Sequence, residues 1–101
     1  MVKVLNRLIQ EIDPAKWQEL NALDKKFNEI ESAMGYPEKK RFRALVSPEH
    51  NDTLIIERIW PSIGKMEELM EKAFFSPEYA ALMEESQLIV KSQRMELYWV
   101  L

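Results

Sequence analysis

The fold is decided by one stretch, TLIIERIWPSIGKMEELMEKAFFSPEYAALMEE, which spans residues 53–85. Thr53–Trp60 is apolar at both odd and even positions, as is typical of a central strand covered on both faces. Ser62 suits the N-cap of a following helix, in which apolar residues recur at spacings of three and four. Ser76 and Pro77 favour the start of another, shorter helix. The stretch therefore predicts a strand followed by two helical segments.

The beginning of the chain repeats this order of elements. Val2–Ile12 is predicted to be a strand, and Asp13-Pro14 to begin a long helix, since aspartate accepts backbone N–H bonds at an N-cap. Gly35 is expected to end this helix, because glycine readily takes the left-handed conformation found there. The apolar stripe of the helix consists of Trp17, Leu20, Leu23 or Asp24, Phe27, Ile30 and Met34.

Two further strands complete the pattern. They are predicted at Lys39–Val46 and Ser92–Leu101, and the turn-rich segment Ser47–Asp52 is expected to be a hairpin loop. The order β-α-β-β-α-β predicts an α+β, ferredoxin-like fold with a four-stranded antiparallel sheet. No linker or low-complexity segment interrupts the chain, so we expect a single domain over residues 1–101.

The composition excludes several classes of function. The chain has 101 residues, a net charge of −3 and no basic block, so we expect no nucleic-acid binding. It contains no cysteine, which excludes disulfides, iron–sulfur clusters and thiolate catalysis. No apolar run approaches the roughly 20 residues of a membrane helix, and the first residues do not resemble a signal peptide. We therefore expect a cytoplasmic protein that does not bind membranes.

The two faces of the predicted sheet differ in character. The face toward the helices is expected to carry Phe42, Ala44, Val46, Met95, Leu97, Trp99 and Leu101. The opposite face is expected to carry Leu5, Arg7, Ile9, Arg43, Leu45, Leu54, Ile56, Arg58, Trp60, Glu96, Tyr98 and Val100. That face is too apolar for water and too charged for a plain core, so we expect a second copy to cover it, sheet to sheet, in a homodimer. A single bulge would exchange Glu57 for Arg58 on this face.

The order of elements, the chain length and the segment ERIWPSIGKMEELMEKAFFSPEY resemble the dimeric α+β barrel superfamily. The nearest branches are the NIPSNAP-like proteins and the antibiotic-biosynthesis monooxygenase-like proteins. In both branches a third strand that ends in an aromatic residue leads directly into a helix, as at Trp60-Pro61-Ser62. The resemblance implies a dimeric barrel with a small-ligand cleft between sheet and helices. It implies no particular reaction, because the superfamily includes cofactor-free monooxygenases, haem-handling proteins, isomerases and dehydratases.

The candidate ligand-binding residues are polar and aromatic members of the face predicted to lie away from the helices: Arg7, Arg43, Arg58, Trp60, Glu96 and Tyr98. Arginine binds carboxylates in bidentate fashion, a glutamate in an apolar barrel is a candidate base, and tyrosine donates to an oxyanion. The structural alternative is that the arginines and Glu96 pair with one another inside the barrel. No catalytic residue is assigned.

The other polar residues are interpreted as structural. His50, in the loop PEHND, is expected to lie in solvent, and no metal site or cofactor is predicted from a chain with one histidine and no cysteine. The run Glu38–Arg41 is interpreted as a solvated loop and strand start. Tyr36 and Tyr79 are expected to pack their rings and to keep their hydroxyl groups in water.

Two functions stay open at this point. The first is a small-molecule-binding homodimer with a small apolar or aromatic ligand, which would allow a cofactor-free monooxygenase- or isomerase-like activity. The alternative is a non-catalytic oligomeric or ligand-sensing protein with an ion-paired barrel interior. An RNA-recognition domain shares the order of elements, but the second strand, FRALV, lacks the glycine–aromatic signature of that domain.

Overall fold

The computed structural model describes residues 2–101, so the first residue of the predicted 1–101 domain lies outside the described range. Its strands are β1 (Val4–Ile12), β2 (Lys39–Arg43), β3 (Thr53–Trp60) and β4 (Val90–Trp99). Its helices are α1 (Trp17–Met34), α2 (Ile63–Phe74) and α3 (Pro77–Ser86). A short 3-10 turn, Pro14–Lys16, precedes α1.

The strands form one four-stranded antiparallel sheet in the order β2-β3-β1-β4. β1 is a central strand, because Val4 pairs with Trp60 of β3 on one side and with Trp99 of β4 on the other. The three helices pack on one face of this sheet. The predicted α+β, ferredoxin-like fold is therefore confirmed.

Side-chain caps begin the helices where the sequence predicts them. The Asp13 carboxylate accepts a hydrogen bond from the backbone N–H of Ala15 at 3.0 Å, at the start of the 3-10 turn. The hydroxyl groups of Ser62 and Ser76 do the same at the starts of α2 and α3. Each cap satisfies a backbone donor that has no partner inside its own helix. These local bonds fix where the helices leave the sheet.

The core between the sheet and the helices has two parts. One cluster joins β1, β3, α1, α3 and the segment before β4, and its buried members are Ile12, Leu20, Leu23, Leu54, Leu82 and Ile89. The other cluster joins Trp60 of β3 to Met66 and Leu69 of α2. Trp60 has 0% of its surface exposed and is the largest fully buried side chain among the described residues. It therefore anchors α2 to the sheet.

Three strands differ in length from the prediction: β1 begins at Val4 rather than Val2, and β4 ends at Trp99 rather than Leu101. β2 ends at Arg43 rather than Val46, and the segment that follows turns away into the loop before β3. β4 begins at Val90 rather than Ser92, because an irregularity in the β1–β4 pairing lets Val90 pair with Ile12. The strand order does not change.

The side-chain direction predicted for β2 and β3 is wrong. The register places Arg58 beside Asn6 and Trp60 beside Val4, so Leu54, Ile56, Arg58 and Trp60 all face the helices. Glu57 and Ile59 lie instead on the opposite, open face. The exchange of Arg58 for Glu57 on that face is the alternative that the sequence analysis allowed. In β2, Phe42 lies on the open face, whereas Lys39, Arg41 and Arg43 lie on the helix side. The faces predicted for β1 and β4 agree with the register.

The reason for this reversal is that α1 supplies partners for charge. Asp24 and Glu31 of α1 bind the basic side chains that β2 and β3 direct toward the helices. A strand direction that buries Arg58 is tolerated because its guanidinium is paired. The same direction buries Trp60, a large apolar gain.

The two glycines differ in backbone requirement, and this difference is testable. Gly35 has a φ of 91°, and Gly64, in the first turn of α2, has no positive φ. We expect Gly35→Ala to lower the free energy of unfolding by about 1–2 kcal/mol, the cost of a left-handed non-glycine residue. Gly64→Ala is the matched control and should leave stability unchanged or slightly raised, since an added Cβ meets only Ser62 Oγ at 4.0 Å. Urea unfolding measures both, and equal losses would contradict the assignment.

Candidate functional site

A cleft opens between the second half of α1, the turn after it and the β2–β3 side of the sheet. Its volume is about 480 Å³, which is within the range of small-molecule sites. It is lined by Asn28, Glu31, Ser32, Tyr36, Pro37, Glu38, Lys39, Arg41 and Arg58. Several of these side chains are charged and buried, so the cleft combines space with electrostatic character.

The carboxylate of Glu31 lies at the centre of this cleft and is buried, with 6% of the residue exposed. Its Oε1 accepts from Arg58 Nη2 at 2.6 Å and from Lys39 Nζ at 3.5 Å. Its Oε2 accepts from the hydroxyl of Tyr79, in α3, at 3.0 Å. Both oxygens are satisfied, and one side chain joins α1 and α3 to the sheet.

Arg58 is held between this carboxylate and an aromatic wall. Only 10% of its side chain is exposed, and its guanidinium carbon lies 4.9 Å from the centre of the Tyr36 ring. Tyr36 in turn meets Trp60 edge to face at 5.1 Å. A buried guanidinium gains from both the ion pair and the aromatic face. The direction of Arg58 is therefore strongly constrained.

A second acid, Asp24, pairs with the basic residues of β2. Lys39 Nζ lies 2.5 Å from Asp24 Oδ1, and 8% of the lysine side chain is exposed. The Arg41 side chain is 28% exposed and donates from Nη2 to Asn21 Oδ1 at 3.1 Å. The interpretation of Glu38–Arg41 as a solvated run is therefore wrong for Lys39 and Arg41. Lys39 and Arg41 are withdrawn from solvent because α1 covers this edge of the sheet.

Two buried guanidinium nitrogens in the cleft lack a hydrogen-bond acceptor in the described part of the chain: Nε of Arg58 and Nε of Arg41. Arg41 Nε lies 3.6 Å from Asp24 Oδ2, which is beyond hydrogen-bond length. Trp60 Nε1 is unsatisfied as well, but Trp60 does not line the cleft. Leaving a buried donor without a partner costs about 1–3 kcal/mol.

Two tyrosines contribute protonated hydroxyl groups to this region. Burial, followed by the nearby Glu31 carboxylate, raises the pKa of both Tyr36 and Tyr79 above the ordinary value. Both phenols therefore stay neutral near pH 7. Tyr79 donates to Glu31, and Tyr36 donates to the backbone carbonyl of Leu69 at 3.4 Å. The expectation that these hydroxyl groups lie in water is wrong, because the acceptors are inside the fold.

The open face of the sheet holds three of the predicted site residues in one ion-paired group. Arg7 Nε donates to Glu57 Oε2 at 2.8 Å, and Arg7 Nη1 lies 3.6 Å from Glu96 Oε1. The hydroxyl of Tyr98 donates to the same Glu96 oxygen at 2.8 Å. The hydrogen bond that Arg7 donates to Glu57 raises the pKa of Arg7, and the hydrogen bond that Tyr98 donates to Glu96 raises the pKa of Tyr98. Sequence reasoning grouped Arg7, Glu96 and Tyr98 correctly but had Arg58 in place of Glu57.

The remaining predicted site residue, Arg43, lies apart from both groups. Its guanidinium stacks on the Trp17 ring at 4.3 Å and donates to Asp52 Oδ1 at 2.8 Å. Trp17 Nε1 donates to the same Asp52 oxygen at 2.9 Å. Arg43 therefore fastens the end of the β2–β3 loop to the start of α1. The predicted site residues therefore lie in three places. Arg7, Glu96 and Tyr98 are on the open face, and Arg43 is at this loop anchor. Arg58 lines the cleft, and Trp60 is buried next to it behind Tyr36.

The loop before β3 folds back over one end of the open face. A smaller cleft of about 240 Å³ lies beneath it and includes Ile9, Glu49, His50 and Arg94. Arg94 pairs with Glu49, and this bond lowers the pKa of Glu49. His50 is exposed, as expected, and its Nδ1 accepts from the backbone N–H of Asp52 at 3.1 Å. Arg94 and Glu49 therefore satisfy each other beneath the loop.

Sequence reasoning missed the acids that organise the main cleft. Asp24 follows Leu20 by four residues and Glu31 follows Phe27 by four, so both lie on the apolar stripe of α1. An acid inside such a stripe signals a buried partner of opposite charge. Among residues 2–101 no group of three metal-ligating acids or histidines is present, and none of the helices described is long and apolar enough to cross a membrane.

Comparison with solved structures supports the fold assignment. A NIPSNAP family protein from Agrobacterium tumefaciens superposes with a TM-score of 0.82 at 15% identity, covering 98% of this chain and 86% of that one. A second Agrobacterium protein, described as a NIPSNAP family protein with unknown function, has a TM-score of 0.80 at 10% identity, covering 97% of this chain and 87% of its own. A conserved protein from Methanosarcina mazei has a TM-score of 0.73 at 17% identity, and the match covers 97% of this chain and 92% of that one.

The chain therefore has the ferredoxin-like α+β fold. More particularly, it has the fold of the NIPSNAP family structures, which confirms the resemblance at the level of the fold. In sequence it matches no family model and no curated protein. These likenesses carry no information about a reaction or a ligand, so function rests on the side chains.

The role of Glu31 as the counter-charge of the cleft is testable by removal. Glu31→Ala would leave Arg58 without its carboxylate, so we expect a loss of about 3–5 kcal/mol in the free energy of unfolding. The matched control is Glu29→Ala, an exposed glutamate on the same helix, which should change stability by less than about 0.5 kcal/mol. Urea unfolding at neutral pH measures both. Similar small effects would show that Glu31 does not hold the helix layer.

Proposed function

We propose that the protein is a small-molecule-binding homodimer, in which two copies pack open face to open face and each copy binds its ligand in the cleft beside Glu31. The observation that carries the proposal is a cleft of about 480 Å³ lined by Arg58, whose guanidinium makes a single hydrogen bond within the described residues, from Nη2 to Glu31. A guanidinium has five N–H donors, so Arg58 has further donors for a ligand at the cleft wall.

The dimer is supported by the composition of the open face. Leu5, Ile55, Ile59 and Phe42 lie on that face, and the Arg7–Glu57–Glu96 group lies among them. Phe42 and Ile59 are exposed, and no element within residues 2–101 packs over them. A second copy would bury these side chains around a two-fold axis, where the same surface meets itself. Such packing corresponds to the dimeric barrel expected from the sequence.

An ion-paired interior favours assembly over ligand binding at the open face. Arg7, Glu57, Glu96 and Tyr98 satisfy one another, so a ligand there would have to displace existing bonds. This observation supports the second candidate, a non-catalytic oligomeric or ligand-sensing protein, in which the barrel interior only holds two copies together. The two candidates differ in whether the cleft on the helix side is occupied.

Binding is proposed without a catalytic step. No residue of the cleft is assigned the part of a general base. The Glu31 carboxylate already binds Arg58 and Tyr79, and the pKa of both Tyr36 and Tyr79 is raised, so these phenols stay protonated. The cofactor-free monooxygenase- or isomerase-like activity that the sequence left open stays a prediction. The antibiotic-biosynthesis monooxygenase-like assignment, the single domain and the cytoplasmic location stay predictions as well.

The proposed dimer predicts a charge-sensitive interface. Ile59, 52% exposed on the open face, would be buried against the second copy, so we expect Ile59→Lys to give a monomer. Leu88→Lys is the matched control, because Leu88 is 74% exposed in the turn after α3, and it should keep the dimer. Light scattering after gel filtration gives the mass, and a dimer has twice the 12.0 kDa of one chain. A wild-type protein that is monomeric at tens of micromolar would overturn the assembly.

Ligand binding is tested separately with a thermal-shift panel of small acids, amides, alcohols and aromatic compounds on the wild-type protein. The proposal expects at least one compound to raise Tm by stabilising the folded state. A panel without any stabilising compound, from a protein shown to be a dimer, would favour the non-catalytic assembly instead.

A further inference from the structure

We infer that the cleft beside Glu31 binds small organic monocarboxylates, with the ligand carboxylate accepting hydrogen bonds from Arg58 and Arg41. This inference rests on the proposed small-molecule function and names its ligand class. It depends on three features of the cleft: its balance of charge, its unsatisfied donors and its apolar wall.

The charged side chains that line the cleft do not cancel. Lys39, Arg41 and Arg58 contribute three positive charges to its wall, and Glu31 and Glu38 contribute two negative ones. Asp24 pairs with Lys39 and Arg41 but does not line the cleft. The excess positive charge of the wall favours a singly charged anion.

The donors available to such an anion belong to two guanidinium groups. Arg58 and Arg41 both line the cleft, and within residues 2–101 each guanidinium makes one hydrogen bond, to Glu31 and to Asn21. Nε of each is buried, so the terminal nitrogens are the donors that a ligand would meet. Lys39 pairs with Arg58 across β2 and β3, and Arg41 lies two residues further along the same face. Diagonal neighbours on one sheet face lie within reach of one another's long side chains. The two guanidinium groups can therefore donate to the two oxygens of one carboxylate.

The rest of the ligand would contact apolar groups. Tyr36 and Pro37 form part of the cleft wall, and Tyr36 is fixed by Arg58 on its face and by Trp60 at its edge. A rigid aromatic wall next to paired guanidinium groups suits a flat acid better than a phosphate. A phosphate would also carry close to two negative charges, against an excess of one positive charge among the lining residues.

The experiment compares three probes on the purified protein by calorimetry and by chemical-shift titration: benzoate, benzamide and inorganic phosphate. Benzamide has the shape of benzoate without its charge, and phosphate has the charge without the ring. We expect benzoate to bind, with benzamide and phosphate each weaker by about tenfold or more, because a charged acceptor gains most from these donors. Shifted amide signals should include those of Tyr36 and Arg58.

Variants then assign the donors. Arg41→Gln removes the guanidinium and its charge, and Arg58→Lys keeps the charge that Glu31 needs but removes the guanidinium donors. We expect each to weaken benzoate binding by about tenfold. Lys25→Gln is the matched control, because Lys25 is exposed on α1 and its loss changes the net charge equally. If Arg58→Lys does not fold, Arg41→Gln alone still decides the question.

Each outcome has a distinct meaning. Benzamide binding as tightly as benzoate, with no effect of Arg41→Gln, would overturn the carboxylate assignment and leave small-molecule binding intact. Phosphate binding more tightly than benzoate would overturn the choice of a monocarboxylate. If none of the three probes binds, the carboxylate site is rejected, and the thermal-shift panel decides separately whether the protein binds small molecules at all. A benzoate complex that Arg41→Gln weakens and Lys25→Gln does not would support the inference.

Discussion

The buried bond between Glu31 of α1 and Arg58 of β3 is the interaction on which the rest of the structure depends. It brings a helix and a central strand together through charge, where most of the core uses apolar packing. The Tyr79 hydroxyl extends the bond to α3, and Lys39 extends it to β2. Arg58 buried without this carboxylate would be costly, so strand direction, helix position and cleft geometry are coupled through one pair.

The elements of the fold were predictable because their signals are local. Asp13, Ser62 and Ser76 each cap a backbone donor within a few residues, and Gly35 adopts the left-handed conformation expected of a helix end. The faces of β1 were predictable as well. The direction of β3 was not, since its residues are apolar at both parities and only a distant partner decides which set is buried. For Arg58 that partner is Glu31, which lies 27 positions earlier in the chain.

The candidate site was only half predictable for the same reason. The group of Arg7, Glu96 and Tyr98 lies on strands whose alternation is clear, and the structure brings these residues together. The cleft depends on Asp24 and Glu31, acids that occupy stripe positions of a helix. These acids are overlooked when the stripe is taken as purely apolar. Helical periodicity shows on which face of α1 a residue lies, but it does not show which basic residue pairs with it. An acidic residue at a core position of a helix indicates that a basic residue elsewhere in the chain pairs with it.

Glu57 and Arg58 are consecutive residues with opposite charges, and the sheet sends them to opposite sides. Glu57 meets Arg7 on one side, and Arg58 meets Glu31 on the other. Sliding β3 by one position would bring arginine toward arginine on the open face and glutamate toward glutamate beneath α1. The slip would also move Trp60 out of the core beside Met66 and Leu69, so packing and charge oppose it together. Repulsion between like charges therefore disfavours the shifted register of β3, and residues 57 and 58 help the sheet to form with a single alignment.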